Sequence, residues 1–418
     1  MKFLTFCMVL SLFYLEIYGE SYKDAKVVDF TIDTEKQLEA LKRLELDDGF
    51  KFWISPYQVG IKTQLIILAQ KFIEFQELAQ ETGLIYQLIT DDVQSWFDKE
   101  KPERSRRRKE GEIVFDEYKT YEEILNFLDQ MHADYPNVTE IFTLGTSFEG
   151  RVIKGIKITK NEDSPILFID AHIHAREWIA SASAVWLIHE LLTTQDVNVR
   201  ELVDGLTWII IPLLNPDGYI YSQNVDRTWR KTRSTNASML CTGADPNRNF
   251  AYNFMMGGAS QVACTDTFAG RAPYTEPEVK ALVDYYEKVH EKVKIYLSFH
   301  SAAEMILYPM GHTGTFEEVP NVADLDAIAA AAATAIKVRY GTNYVYGNSY
   351  NTLSVASGTS KDHMYGHFKT PISYTYEFRV AKNGLRFVLP ADEIIPNSEE
   401  MFDGILAMIV KSKELGYF

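Results

Sequence analysis

The sequence predicts an α/β protein whose sheet carries helices on both faces. Two observations favour this class: apolar runs typical of buried strands, and longer segments with helical periodicity that alternate with them. The strand runs are Pro165–Ala171, Leu206–Leu213, Val293–Phe299 and Ile372–Phe378. The helical segments are Trp178–Leu192, Pro277–Lys292, the Ala-rich Val322–Arg339 and Ser398–Leu415. In such a fold the loops at the strand ends form the usual place for a site.

The segment before this sheet predicts a small α+β unit. Helical patterns at Glu35–Leu44 and Lys62–Gln80 flank a short apolar strand at Phe50–Ile54. The unit ends in a basic cluster, Lys101–Lys109, within an otherwise acidic chain. A charge run of this kind is typical of a solvated linker, and it is equally an accessible substrate for a trypsin-like protease.

Length and composition indicate two globular units and exclude some partners. A chain of 418 residues is long for one ordinary domain. Its residues are 46% hydrophobic and 24% charged, which is typical of a globular protein. The formal net charge of -16 would repel nucleic acid and anionic membrane surfaces. We therefore expect neither nucleic acid nor a membrane as a partner.

The first 19 residues have the pattern of a secretion signal. Lys2 precedes an apolar run, Phe3–Tyr14, and small or polar residues follow near Gly19. One acidic residue interrupts the pattern, and a buried N-terminal helix is the alternative. We expect residues 1–19 to be a cleaved signal peptide and the protein to be extracellular.

Secretion would allow a disulfide between two cysteines and glycosylation of two asparagines. Without residues 1–19 the chain retains Cys241 and Cys264, which in an oxidising compartment most simply form one disulfide. Two unrelated buried thiols are the alternative. Asn137 and Asn236 begin glycosylation triplets, which matter only in a secreted chain and are common by chance.

Three residues at strand ends form a candidate metal site. His174 and Glu177 follow the first buried strand, three residues apart, where a helix begins. Alone, this spacing often marks no more than a helix start. His300 ends another buried strand and supplies a third ligand. Two imidazoles and one carboxylate can hold zinc and leave a fourth position open for water.

In these residues and in several further motifs, the chain resembles the carboxypeptidase A and B family of zinc exopeptidases. The resemblance implies the zinc carboxypeptidase fold, a mixed and largely parallel twisted sheet, with one Zn²⁺ per catalytic domain. It also implies an inhibitory propeptide domain over residues 20–108 and a catalytic domain over 109–418, with cleavage within Arg104–Lys109. The further motifs that carry it are Asp91–Phe97, Asn215–Gly218, Thr228–Arg233, Asp245–Asn249 and Tyr376–Arg379.

The resemblance also assigns catalytic roles. It implies that His174, Glu177 and His300 bind zinc, and that Glu377 is the general base that takes a proton from water and passes it to the leaving amine. Arg230 is similar to the arginine that stabilises the oxyanion of the tetrahedral intermediate. Without the motif, an acidic residue such as Glu377 would more often be an ion-pair partner.

Substrate contacts follow from the same comparison. Asn247 and Arg248 match the pair that binds the terminal carboxylate, for which a guanidinium fork is well suited. Arg176 matches a subsite arginine, and Ser301 is assigned to substrate binding beside the last zinc ligand. A surface ion pair is the alternative for any single arginine. Cys241 and Cys264 also lie where the family has its disulfide.

Lys361 departs from the family at the position that selects the departing side chain. The family carries an apolar residue there in A forms and an acidic one in B forms. A lysine would attract a C-terminal Glu or Asp and repel basic residues. Alternatively, Lys361 turns to solvent or pairs with Asp362 or Glu304.

Ser354 is the second departure, because it aligns where the family has a mobile tyrosine that closes over substrate. A serine cannot span that distance or exclude water as a ring does, so Ser354 brings substrate closure into question. We expect an active zymogen whose partners are peptide C-termini, a trypsin-like activating protease and its own propeptide, acting in a space such as the digestive lumen. The alternatives are an apolar preference like that of carboxypeptidase A, or a catalytically weak peptide-binding relative.

Overall fold

The small N-terminal domain is built on a four-stranded antiparallel sheet. The computed structural model describes residues 21–100, 114–235, 241–315, 317–382 and 384–418. The predicted signal peptide, the basic cluster and Asn236 lie outside these residues. In the sheet the strand order is β2-β3-β1-β4. The strands are β1 (Lys26–Thr31), β2 (Phe50–Phe52), β3 (Lys62–Ile67) and β4 (Tyr86–Thr90), and the helices are α1 (Glu35–Leu44), α2 (Phe72–Thr82) and α3 (Gln94–Glu100).

The prediction of one helix over Lys62–Gln80 is wrong at its start, where the chain forms β3. Both faces of this strand are buried, so its apolar residues do not alternate with polar ones. Leu65 packs under the domain's own helices, whereas Ile66 packs in a cluster with Leu385 of the large domain. A continuous apolar run of this length fits either a strand or a helix, and here tertiary burial decides.

The large domain is built on an eight-stranded mixed sheet with the order β11-β10-β12-β9-β7-β8-β6-β5. The four central strands, β12, β9, β7 and β8, pair in parallel with one another. On either side of them, β10 pairs antiparallel with β12, and β6 pairs antiparallel with β8. The strands are β5 (Thr139–Thr146), β6 (Val152–Ile158), β7 (Ile166–Ala171), β8 (Thr207–Ile211), β9 (Val293–His300), β10 (Met305–Tyr308), β11 (Val345–Asn348) and β12 (Ile372–Glu377).

Helices cover both faces of this sheet, as expected. Leu167 of β7 faces one core with helices α4, α5, α9 and α12, whereas Phe168 faces a second core with α8 and α11. This alternation buries both faces of the central strands. The helices are α4 (Tyr121–Asp134), α5 (Trp178–Thr193), α6 (Val197–Asp204), α7 (Pro216–Asn224), α8 (Pro277–Val289), α9 (Val322–Tyr340), α10 (Ser349–Thr352), α11 (Ser360–Gly366) and α12 (Ile394–Glu414).

The last helix begins four residues before its predicted start at Ser398. Its first turn contains Pro396, and the missing N–H of a proline costs little there because first-turn N–H groups have no helical partner. Among the described residues, no helix is both long and apolar enough to cross a membrane.

Parallel strands bring the predicted site residues to one edge of the sheet. Asp170 of β7 pairs in register with Ser298 of β9, and His300 of β9 pairs with Glu377 of β12. Because parallel strands all end at the same edge, the loop after β7 also begins there. The sheet thus positions the predicted zinc ligands and the predicted base together.

Candidate functional site

The three predicted zinc ligands form one buried cluster. His174 lies in the loop after β7, Glu177 immediately precedes α5, and His300 ends β9. One ligand atom from each lies within 4.8 Å of the others. The Nδ1 atoms of His174 and His300 lie 3.1 Å apart, and each faces an oxygen of Glu177, at 2.9 and 3.1 Å. The structure therefore brings together two imidazoles and one carboxylate, a donor set that fits zinc.

The other ring nitrogen of each histidine has its own partner. Nε2 of His174 lies 3.1 Å from Oδ1 of Asp245, and Nε2 of His300 lies 3.1 Å from Oγ of Ser298. Such contacts fix the ring orientation and direct both Nδ1 atoms towards Glu177, where a metal would bind. Burial by itself would raise the pKa of Glu177, but the neighbouring imidazoles lower it below its usual range.

Asp245 is a functional residue that sequence reasoning missed. Besides its contact with His174, it accepts hydrogen bonds from Nη2 of Arg230 at 2.8 Å and from the Asn247 backbone N–H at 2.9 Å. Burial would raise the pKa of Asp245, but Arg230 and His174 hold it well below its usual value. Its place at the start of the Asp245–Asn249 motif was the available signal.

Asp170 supports the other histidine and was also missed. It is fully buried at the end of β7 and accepts hydrogen bonds from the Tyr296 hydroxyl and, at 3.1 Å, from Ser298. Ser298 in turn contacts His300. Burial raises the pKa of Asp170 to about 6. The in-register pairing of β7 with β9 creates this chain of contacts.

Glu377 ends β12 beside the metal ligands. It pairs in register with His300, and its residue keeps some solvent exposure although most of it is buried. Burial raises its pKa to about 7, and the nearby Glu177 adds to this rise, although His300 opposes it. A carboxyl group with such a pKa can both accept and return a proton near neutral pH.

Arg230 lies across the cluster from the strand ends. Its guanidinium group is held by Asp245, and Nη1 lies 3.3 Å from Nδ1 of His174. Arg230 retains some solvent exposure. A fixed positive charge therefore lies beside the three predicted zinc ligands.

Asn247 and Arg248 lie in one tight turn, Pro246–Arg248, beside the cluster. Oδ1 of Asn247 accepts a hydrogen bond of 2.9 Å from the Ser360 N–H, at the start of α11. Nε of Arg248 donates to the Gly258 carbonyl at 2.7 Å. Gly358 packs so closely on Arg248 that a Cβ there would lie 2.4 Å from its carbonyl oxygen. The turn and the segment before α11 therefore form one packed unit.

Lys361 is buried in the first turn of α11, so it does not turn to solvent. Its ammonium group contacts Oδ1 of Asp362, which was one of the alternatives considered above. Burial lowers the pKa of Lys361, and Asp362 opposes this change. Lys361 directly follows Ser360, whose N–H donates to Asn247 of the Pro246–Arg248 turn.

The small domain covers Arg176 and the neighbourhood of Ser354. Arg176 is buried, and its guanidinium group donates to the carbonyls of Phe52 and Trp53, at 3.2 and 3.3 Å. Tyr57 donates to the Leu353 carbonyl at 3.2 Å, next to Ser354. These two contacts occupy Arg176 and the neighbourhood of Ser354 with parts of the small domain.

A buried ion pair also joins the two domains. Glu100, the last residue of α3, accepts hydrogen bonds of 2.6 and 2.9 Å from Nε and Nη2 of Arg227. The Arg227 guanidinium lies 3.8 Å from the centre of the Trp178 ring. Both charged side chains are almost completely buried. Nothing in the composition or spacing of the sequence predicted this pair.

Three further predictions concern Ser301, the cysteine pair and the glycosylation triplets. Ser301 donates its backbone N–H to Oε2 of Glu177 at 3.2 Å, so it contacts a ligand directly, and its role in substrate binding stays a prediction. Cys241 and Cys264 form a disulfide with Cα atoms 5.0 Å apart. Asn137 is exposed between α4 and β5, where a glycan would fit, and Asn236 lies outside the described residues.

Known proteins match both domains. The zinc carboxypeptidase family matches residues 124–404, and the carboxypeptidase activation peptide matches residues 28–100. Zinc carboxypeptidase A 1 of Anopheles gambiae is 36% identical over 401 residues, covering 95% of this chain and 92% of the relative. Carboxypeptidase A1 of Rattus norvegicus is 35% identical over 382 residues, covering 90% of this chain and 89% of the relative.

A solved structure agrees with these sequence matches. The crystal structure of the carboxypeptidase A from Helicoverpa armigera has a TM-score of 0.84 and 28% identity, covering 95% of this chain and all of its own. The matched regions contain the His174, Glu177 and His300 cluster and most of the small domain. The chain therefore belongs to the zinc carboxypeptidase family and is a metallocarboxypeptidase that carries an activation peptide.

Proposed function

We propose that this protein is a secreted zymogen that releases single C-terminal residues and prefers Glu or Asp. The observation that carries the proposal is the position of Lys361. It lies one residue after Ser360, whose N–H binds Asn247 of the turn that would hold the terminal carboxylate. A cation beside that turn is within reach of the side chain of the same terminal residue.

The exopeptidase action depends on Arg248 and Asn247. A planar guanidinium group binds a carboxylate through two parallel hydrogen bonds. An internal peptide bond offers no carboxylate at this position, so only the last residue of a peptide would be anchored. The close packing of this turn on α11 supports a preformed anchor.

The hydrolytic step needs a base, an oxyanion donor and a metal. His174, Glu177 and His300 would hold zinc, which when bound polarises the substrate carbonyl and makes water more acidic. Glu377 takes the proton from the attacking water and returns it to the leaving amine. Arg230 donates hydrogen bonds to the oxygen that becomes negative, a type of contact that contributes about 3 kcal/mol.

The acidic preference follows from charge. At about 4 Å and an effective dielectric of about 20, an ammonium group and a carboxylate attract each other by about 4 kcal/mol before desolvation. A basic C-terminal side chain would meet repulsion of similar size. A discrimination of this magnitude is enough to set specificity.

The second candidate function is a preference for apolar C-terminal residues. The ion pair between Lys361 and Asp362 favours it, because a pair that is already neutralised leaves a pocket without net charge. The named relatives are carboxypeptidases A. The two candidates predict opposite rankings of the same substrates.

Latency and secretion complete the proposal. In the intact chain, backbone carbonyls of the small domain occupy Arg176, which would otherwise be open to a peptide. Cleavage by a trypsin-like protease within Arg104–Lys109 would free the small domain to leave. Residues 1–19 would direct the chain out of the cell.

The test of the preference is a panel of peptides that differ only in their last residue: Glu, Phe, Leu, Arg or Lys. We expect the trypsin-treated protein to show its highest kcat/KM on the Glu peptide, and a zinc chelator to abolish release. Highest activity on Phe or Leu would select the second candidate. The untreated zymogen is the control for latency.

The general-base assignment predicts that Glu377→Gln lowers kcat by about 100-fold to 10,000-fold. The amide keeps the size of the side chain but cannot accept the proton. The variant should bind zinc as the wild type does, measured by metal analysis after dialysis. Activity within about threefold of the wild type would rule out Glu377 as the base.

A further inference from the structure

The pairing of Lys361 with Asp362 is unusual for neighbours in a helix. Side chains of consecutive helical residues point about 100° apart and do not normally face each other. Here the lysine side chain nevertheless turns back onto the carboxylate of the next residue. Both side chains are almost completely buried, with 3% and 1% of their surface exposed. The pair is therefore shielded from salt and water.

Asp362 is held in place by a contact that does not involve Lys361. Its Oδ2 atom accepts a hydrogen bond of 2.7 Å from the backbone N–H of Gly311. The loop of Gly311 lies against the same segment, because the Ala356 N–H donates to the Gly311 carbonyl at 2.8 Å. The carboxylate of Asp362 is thus fixed by a backbone N–H, and the longer side chain of Lys361 bends to contact it.

The pair lies next to the turn that would anchor a substrate. Ser360, immediately before Lys361, donates to Asn247, and the Phe250 N–H donates to the Gly358 carbonyl at 3.0 Å. An acidic terminal side chain that reaches Lys361 would therefore also approach Asp362. Three charges would then share one site: two carboxylates and one ammonium group.

We propose that Asp362 is a built-in counter-ion that competes with the substrate for Lys361 and so limits the selection of acidic residues. The inference rests on the proposed role of Lys361. With an apolar terminal residue the internal pair stays intact and the pocket is neutral. With a terminal Glu the substrate carboxylate must share the ammonium group and is repelled by Asp362.

The substrate pair that isolates this effect is Glu against Gln, which have the same shape and differ in charge. The measured quantity is the ratio of kcat/KM for peptides ending in Glu to that for peptides ending in Gln. An ion pair without a competing charge would give a ratio of about 1,000. Because Asp362 competes for Lys361, we expect a ratio below about 30 in the activated wild type. A wild-type ratio above about 30 would overturn the inference without any variant.

Asp362→Asn should raise this ratio by about tenfold. The amide oxygen can still accept the Gly311 N–H, so the loop keeps its contact, while the competing negative charge is removed. The ratio cancels any general loss of activity. Asp392→Asn, the same change at an exposed position, is the matched control and should leave the ratio unchanged. A rise of less than about threefold in Asp362→Asn would overturn the inference.

Lys361→Gln separates this inference from the proposed function. Glutamine keeps a hydrogen-bond donor for Asp362 and removes the positive charge, so the ratio should fall to about 1 or below. If Lys361→Gln leaves the wild-type ratio unchanged, the lysine is not the selector and the proposed preference fails. If Lys361→Gln lowers the ratio but Asp362→Asn does not raise it, only the role of Asp362 fails.

Discussion

At the metal site, a single buried carboxylate connects groups with three different tasks. Asp245 contacts the ring of His174, fixes the guanidinium group of Arg230 and accepts the N–H of Asn247. The residues that we propose for metal binding, oxyanion stabilisation and anchoring of the terminal carboxylate therefore share one support. Because all three partners surround the same side chain, a change at Asp245 should affect them together.

Asp245→Asn should weaken zinc binding by about 10-fold to 100-fold and also lower kcat. The amide has less negative charge to offer the imidazole and cannot pair with Arg230. Zinc affinity is measured by competition with a chelator of known affinity. Asp217→Asn is the control, since Asp217 is equally buried but pairs with Arg151, away from the metal. Equal losses of zinc affinity in the two variants would contradict the prediction.

The site residues that could be predicted are those whose role can be read from their position in a short sequence pattern. His174, Glu177 and His300 stand at the ends of apolar strands, and parallel pairing makes strand ends converge. Asp170 and Asp245 could not be assigned in this way, because their roles depend on side chains more than 50 residues away in the chain. Their contacts in the folded protein show which groups they support.

Among the helices, α1 and α4 begin with the same device. Thr34 and Thr120 each form a capping box, in which the threonine accepts the N–H of the third helical residue and that residue's side chain bonds back. Thr34 caps a helix of the activation domain, and Thr120 caps one of the catalytic domain. The pair allows one substitution to be compared in two domains.

Thr120→Ala should lower the free energy of unfolding of the activated enzyme by about 1 kcal/mol, because one N–H loses its partner. Thr34→Ala should not change the activated enzyme, since its helix leaves with the activation domain. Chemical denaturation of zymogen and activated protein, side by side, measures both effects. A loss of stability in activated Thr34→Ala would show that the activation domain had not been removed.

The elements differ in how well periodicity predicted them. Strands β7, β8, β9 and β12 were found because both of their faces are buried and they read as apolar runs between turns. The same property misled the prediction for β3, where no glycine or proline marks the change from strand to helix. Strands β5 and β6, with mixed burial at the sheet edge, gave no clear signal.

Across the whole molecule, the cleft between the domains contains acidic groups from both sides. Glu45 of the activation domain and Asp266 of the catalytic domain line the same cavity of about 490 Å³. Burial, together with the charge of Asp266, raises the pKa of Glu45 to about 7 against the opposing effects of Ser55 and Lys42. The intact zymogen therefore binds a proton that an unfolded or separated activation domain would release.

This shift predicts a pH dependence of zymogen stability. Because the folded pKa lies above the usual 4.5, the folded state binds more protons between pH 4.5 and 7, and stability falls as the pH rises through this window. Glu45→Gln should match the wild type near pH 4.5 and be more stable at pH 8, in thermal unfolding of the intact zymogen. Glu39→Gln, at an exposed position of α1, is the control. A difference that is the same at both pH values would refute the prediction.

The ion pair between Glu100 and Arg227 lies just before the region where the chain would be cut. A cut anywhere after residue 100 leaves this ion pair intact. It also leaves the rest of the activation domain's contact surface unchanged. The cut changes only the connection: an intramolecular contact, with an effective concentration set by the linker, becomes a contact between two separate molecules. Dilution, rather than cleavage alone, would then determine when the active site opens, so a concentrated secretion could hold the cut enzyme silent until it is dispersed.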